Sequence, residues 1–96
     1  MNVLFVQGAG AYDADTKLAV SLQRSLGSAS TVHYPKMPDE DAPAYGAWKA
    51  RVAAELSTLG TDTALVGHSF GASVLLKYVV EDTPNVAGLF LVAPPY

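Results

Sequence analysis

No cysteine occurs in this 96-residue chain, which excludes disulfides and thiolate metal sites. Charge is sparse: 16% of the residues are charged, the net charge is −3, and the Lys and Arg residues form no run. That balance gives no electrostatic support to nucleic-acid binding, and there is neither a polybasic membrane patch nor an acidic tail. Long apolar runs are missing too. Val3-Leu4-Phe5-Val6 is far too short to span a bilayer, and Met1-Asn2 precedes it without the basic stretch of a signal peptide. The expectation is a cytoplasmic protein with no membrane contact. Histidine is scarce, with only His33 and His68 present, which restricts the choice of a general base.

What the chain has is core-forming material. Half of its residues are hydrophobic, a composition that folds, and the length suits one domain. Four short apolar runs alternate with three helical patterns. The runs are Val3 to Val6, a weaker Thr31 to Tyr34, Thr63 to Gly67, and Val86 to Val92. Most are rich in Val, Leu or Phe and bounded by Gly, Pro, Asn or Asp, as buried strands are. The first helix is expected from about Asp15 to Leu26, with Leu18, Leu22 and Leu26 as its apolar stripe, Asp13 or Asp15 as its cap and Gly27 at its end. In the second, Tyr45, Trp48, Val52, Leu56 and Leu59 fall on one face, Pro43 fits the first turn and Gly60 the end. The third begins just after Ser69 and runs to about Glu81, ahead of Pro84. Such alternation implies an α/β fold: a three-layer, four-stranded parallel sheet in the order 2-1-3-4, with helices on both faces. Asp39-Glu40-Asp41 reads as a solvated turn before the second helix.

The chemistry centres on Gly67-His68-Ser69-Phe70-Gly71. An apolar strand runs straight into it and an apolar helix leaves it at once, the context of a nucleophile elbow. A side chain at either glycine would collide with nearby backbone. Ser69 is thereby the candidate nucleophile, at a helix N-terminus where N–H groups favour developing negative charge. The glycine-rich Gln7-Gly8-Ala9-Gly10-Ala11 follows the first strand, where hydrolases of this kind keep one oxyanion-hole donor. The donors expected are the N–H of Phe70 and that of Ala9, with Gly10 as the alternative to Ala9. The Gly8-Ala9-Gly10 pair is not a dinucleotide fingerprint, because Asp13 stands where the third glycine would be. Tyr12, Tyr34, Met37 and Phe70 are candidates for lining a pocket, with ordinary packing the plainer reading of each.

These stretches resemble the N-terminal half of an α/β-hydrolase, and among those the compact serine hydrolases related to retinoblastoma-binding protein 9. The likeness rests on Val3 to Gly10, on Tyr34-Pro35-Lys36-Met37-Pro38 before a Trp-bearing helix, and on Ala64 to Leu76, with Leu91-Val92-Ala93-Pro94 adding to it. It spans nearly this whole chain but about half of the family's fold. It implies esterase-like chemistry on a small acyl substrate through a Ser-His-acid triad, with no metal and no organic cofactor. Gln7-Gly8 departs from the His-Gly that often opens the first loop.

A larger departure is the missing base. In α/β-hydrolases the triad runs serine, acid, histidine along the chain, and no histidine follows Ser69. His68 should point away from the serine hydroxyl. His33 should lie two strand spacings from the third strand, about 9–10 Å and too far for direct proton transfer. Glu81 and Asp82 end the third helix, far from its start, and read as solvated charges. The fourth run is apolar on both sides, yet no helix remains to cover its second face or its edge. The expectation is therefore a fragment: a truncated chain, weak or inactive alone. The alternatives are a non-catalytic interaction module that self-associates through the uncovered sheet face, and a half-enzyme completed there by another chain.

Overall fold

The computed structural model describes residues 1–92; the Ala93-Pro94 part of the likeness and the Pro94-Pro95-Tyr96 ending lie outside them. Four strands, β1 (Asn2–Val6), β2 (Thr31–His33), β3 (Thr63–His68) and β4 (Gly88–Val92), form one parallel sheet in the order β2-β1-β3-β4. Three helices connect them: α1 (Tyr12–Leu26), α2 (Tyr45–Leu59) and α3 (Phe70–Asp82). Parallel neighbours need crossovers, and each helix supplies one. The fold is the α/β three-layer arrangement that the alternation implies.

Successive side chains on a strand point to opposite faces, and here the faces are unequal. Leu4, Val6 and Leu65 point toward α2 and α3, where they meet Trp48, Val52, Val74, Leu75 and Tyr78 in the core. Trp48 is wholly buried, donates its indole N–H to Pro38 O at 2.8 Å and meets Phe70 edge-on at 4.9 Å. The opposite face carries Val3, Ala64, Val66, Phe90 and Val92. With Met1, Leu22 and Leu26 these residues line an open apolar groove of ≈430 Å³.

Helix α1 corrects the expected pattern. It begins at Tyr12 after Ala11, and neither Asp13 nor Asp15 caps it. Leu18 and Leu26 are exposed, while Asp15 and Ala19 are the residues it buries. The inward stripe is Asp15, Ala19 and Leu22, displaced from the pure leucine one. Two other details differ. Pro43 precedes the Ala44 cap of α2 rather than joining its first turn. Strand β4 starts at Gly88, after Val86 has packed against the core from the preceding loop. Gly27 and Gly60 close α1 and α2 with positive φ, where glycine is favoured. Among the described residues no helix is long and apolar enough to cross a membrane.

Candidate active site

Strand β3 passes into α3 through Ser69, whose φ of 54° and ψ of −119° form a conformation L-residues rarely hold. The chain keeps it because its surroundings leave no alternative. A methyl group at Gly67 would lie 2.8 Å from Ala72 N and Cα, and one at Gly71 would overlap the carbonyl oxygens of Val6 and Gln7. Ser69 N donates to Val92 O at 3.0 Å, which ties the turn to the end of β4. Ser69 O in turn accepts from Ala72 N at 3.0 Å and Ser73 N at 3.3 Å, starting the helix. Phe70 N is the first helical N–H and has no acceptor among the described residues.

The loop after β1 packs directly on this turn. A methyl group at Gly8 would stand 3.2 Å from Ser69 Cβ, a tight contact that would push the loop and the turn slightly apart. Its N–H groups are unequally engaged. Gly8 N donates to Asp15 Oδ2 at 2.9 Å, and Gly10 N donates to Glu40 O at 2.9 Å. Gly10 is thus removed as the alternative donor, because its N–H is spent. Ala9 is exposed, and its N–H has no acceptor among the described residues. Ala9 N and Phe70 N, both without an acceptor among the described residues, therefore belong to the two segments that meet at Ser69.

Three residues that build this site were given no part in it by the sequence. Gln7 is wholly buried at the end of β1, accepts from Met37 N at 3.3 Å and donates to Glu40 Oε2 at 3.1 Å. Glu40 also accepts from Tyr12 N at 3.4 Å. The acidic loop is therefore no merely solvated turn: Glu40 fastens the far side of the glycine loop, while Asp39 and Asp41 face solvent. Asp15, buried on α1, accepts from Gly8 N and pairs with His68 Nδ1 at 2.9 Å. A polar residue on an otherwise apolar helical stripe was the available signal for Asp15. Gln7 and Glu40 gave none, since their partners lie about thirty positions away (|i−j| of 30 and 33).

The remaining candidates fall elsewhere. His68 is engaged with Asp15 through Nδ1. His33 pairs through Nε2 with Asn2 Oδ1 at 3.0 Å, on the far side of β1 from β3. Glu81 and Asp82 are not merely solvated, since both pair with Lys49 of α2 and Glu81 also accepts from Tyr45. Met37 is core. Tyr12 and Tyr34 stack at 4.6 Å, and the Tyr34 hydroxyl donates to Tyr12 O. Burial first, and the negative charge of Asp15 second, push the Tyr34 phenol up to about 12.

Comparison with known proteins gives this geometry a context. The family model described as serine hydrolase matches residues 4–96. No curated protein matches the sequence. Among solved structures, an extracellular α/β-hydrolase from a Paenibacillus species superposes with a TM-score of 0.68 at 18% identity, over 100% of this chain and 42% of that one. It is described as sharing structural and functional homology with tobacco salicylic acid binding protein 2. A crystal structure of a PytH variant gives a TM-score of 0.68 at 23% identity, over 99% of this chain and 40% of that one. At these identities the likeness is one of fold, and this chain spans about two-fifths of either structure's length.

Proposed function

The chain belongs to the serine hydrolase family, and from that premise we propose that it supplies the nucleophile and oxyanion half of an esterase-type site. Ser69 attacks the acyl carbon of a carboxylic ester or related acyl compound. The N–H groups of Ala9 and Phe70 hold the oxygen as it becomes negative. Each such donor contributes about 3–4 kcal/mol to the transition state. One observation carries this reading: Ser69 sits in a strained, positive-φ turn between strand and helix where two segments meet, and each offers an N–H without an acceptor among the described residues.

The general base and its acid come from sequence outside these 96 residues. Serine is a weak nucleophile without a base, and both histidines here are engaged with other partners. As it stands the chain is a weak or inactive catalyst. Hydrolysis of a short acyl ester tests this. Little turnover is expected from the chain alone, and robust turnover that Ser69→Ala abolishes, with no other chain present, would contradict the missing base. Within the family, Tyr34 to Pro38 and Ala64 to Leu76 favour the small hydrolases related to retinoblastoma-binding protein 9.

A second reading draws on the groove between α1 and β4. Phe90 is 60% exposed there, beside exposed Val92 and Leu26. An apolar sheet face of this kind suits a covering partner, either a completing chain or a second copy in a non-catalytic module. Gel filtration combined with a fluorophosphonate probe separates the two: labelling that requires an added chain favours completion, and a stable unlabelled dimer favours the module.

A further inference from the structure

Helix α1 buries an aspartate while leaving two of its leucines exposed. Acidic side chains are almost never fully buried unless paired, so Asp15, at 4% exposure, needs a reason. Its partners supply one. The same oxygen, Oδ2, accepts from Gly8 N at 2.9 Å and meets His68 Nδ1 at 2.9 Å. Gly8 precedes Ala9 in the glycine loop, and His68 precedes Ser69 in the turn. Asp15 thus joins the two segments whose N–H groups are proposed to hold the oxyanion.

We propose that Asp15 is a positioning residue: its buried carboxylate clamps the glycine loop to the Ser69 turn, so that the Ala9 and Phe70 N–H groups are aligned before substrate arrives. This rests on the nucleophile reading of Ser69. The chemistry of the clamp is specific. An ionised carboxylate only accepts hydrogen bonds, so the imidazole bears its proton at Nδ1 and donates. Charge-assisted bonds of this kind are roughly twice as strong as neutral ones. Pairing with the carboxylate also fixes which way the His68 ring is turned.

The far side of the loop is held independently, since Gly10 N is bound by Glu40 O. Ala9 is left between two fastened neighbours. A loop pinned at both flanks cannot relax to spend the middle N–H on another acceptor. An oxyanion site gains from this kind of fixed alignment, because donors already in place need no reorganisation during reaction. A displacement of about 1 Å in such a site lowers a rate by roughly 100-fold.

Two readings test the clamp in Asp15→Ala and in Asp15→Asn, which retains an acceptor oxygen without the charge. The first is spectroscopic and needs no activity. In nitrogen-15-labelled chain, the Gly8 amide proton should exchange slowly and the His68 Nδ1 proton should be observable. Asp15→Ala should lose both, and Asp15→Asn should fall between. The second is the maximal rate of fluorophosphonate modification of Ser69, separated from probe affinity, in whichever preparation labels, chain alone or completed enzyme. That rate should fall about 100-fold in Asp15→Ala and about 10-fold in Asp15→Asn, with affinity within about twofold. A folded variant with unchanged Gly8 exchange and unchanged maximal rate would overturn the proposal. If Asp15→Ala does not fold, Asp15→Asn decides by the same readings. If Ser69 takes no adduct even without substitution, the nucleophile reading fails while Gly8 exchange still decides the clamp.

Discussion

Ser69 holds a backbone conformation that costs about 1–3 kcal/mol for an L-residue, and that strain separates its structural role from its chemical one. Ser69→Gly should raise stability by about 1 kcal/mol in urea denaturation while removing the proposed nucleophile. Gly71 behaves oppositely, because a methyl group there meets the Val6 and Gln7 carbonyls. Gly71→Ala should lose about 3 kcal/mol or more by the same measurement, whereas Gly46→Ala, with open space around it in α2, should change stability by less than about 1 kcal/mol. Tyr34 gives a pH signature. The folded chain holds its phenol proton to about 12, above the ordinary value of 10.0. Between those values the unfolded chain has lost a proton that the folded chain keeps, so stability falls as pH rises through the window. Tyr34→Phe should flatten that fall in denaturation curves measured from pH 9 to 12. At this scale the sequence exposed Ser69 and its glycines because the motif is local. It could not expose Glu40 or Gln7, whose partners are distant along the chain.

Helix α1 shows how far periodicity reaches. Leucines spaced by four make a plausible stripe, but the helix is rotated so that Asp15 faces the turn and Leu18 faces water. Leu18→Ser should therefore change stability by less than about 0.5 kcal/mol. Trp48→Ala in α2 should lose about 3–5 kcal/mol, since the wholly buried ring fills the space between α2 and Phe70. Urea midpoints for the pair would reveal the rotation directly. The strands and their order were legible because each strand is a compact apolar run and right-handed crossovers leave few arrangements. The start of α1 at Tyr12 and that of β4 at Gly88 were not, since loop hydrogen bonds and sheet register set them. The pairing of Asp15 with His68 crosses 53 positions and has no local signature beyond a polar residue on an apolar stripe.

Among the described residues one sheet face is well covered, while the other is covered by α1 over part of its width and open beside β4. Trp48, Val52 and Leu75 close the first, while Phe90 and Val92 stand exposed on the second. Phe90→Lys should leave the fold intact and suppress self-association or capture of a completing chain, as read by sedimentation velocity. Under the proposed function this asymmetry and the chemistry belong together: Ser69 acts as the nucleophile, with the Ala9 and Phe70 N–H groups as donors and neither His33 nor His68 as its base. Mass-spectrometric mapping of a fluorophosphonate adduct tests it most directly. One adduct is expected, on Ser69, forming slowly on the chain alone, faster once a completing chain is bound, and absent from Ser69→Ala. Adduct formation on a different serine, or labelling undiminished in Ser69→Ala, would contradict it.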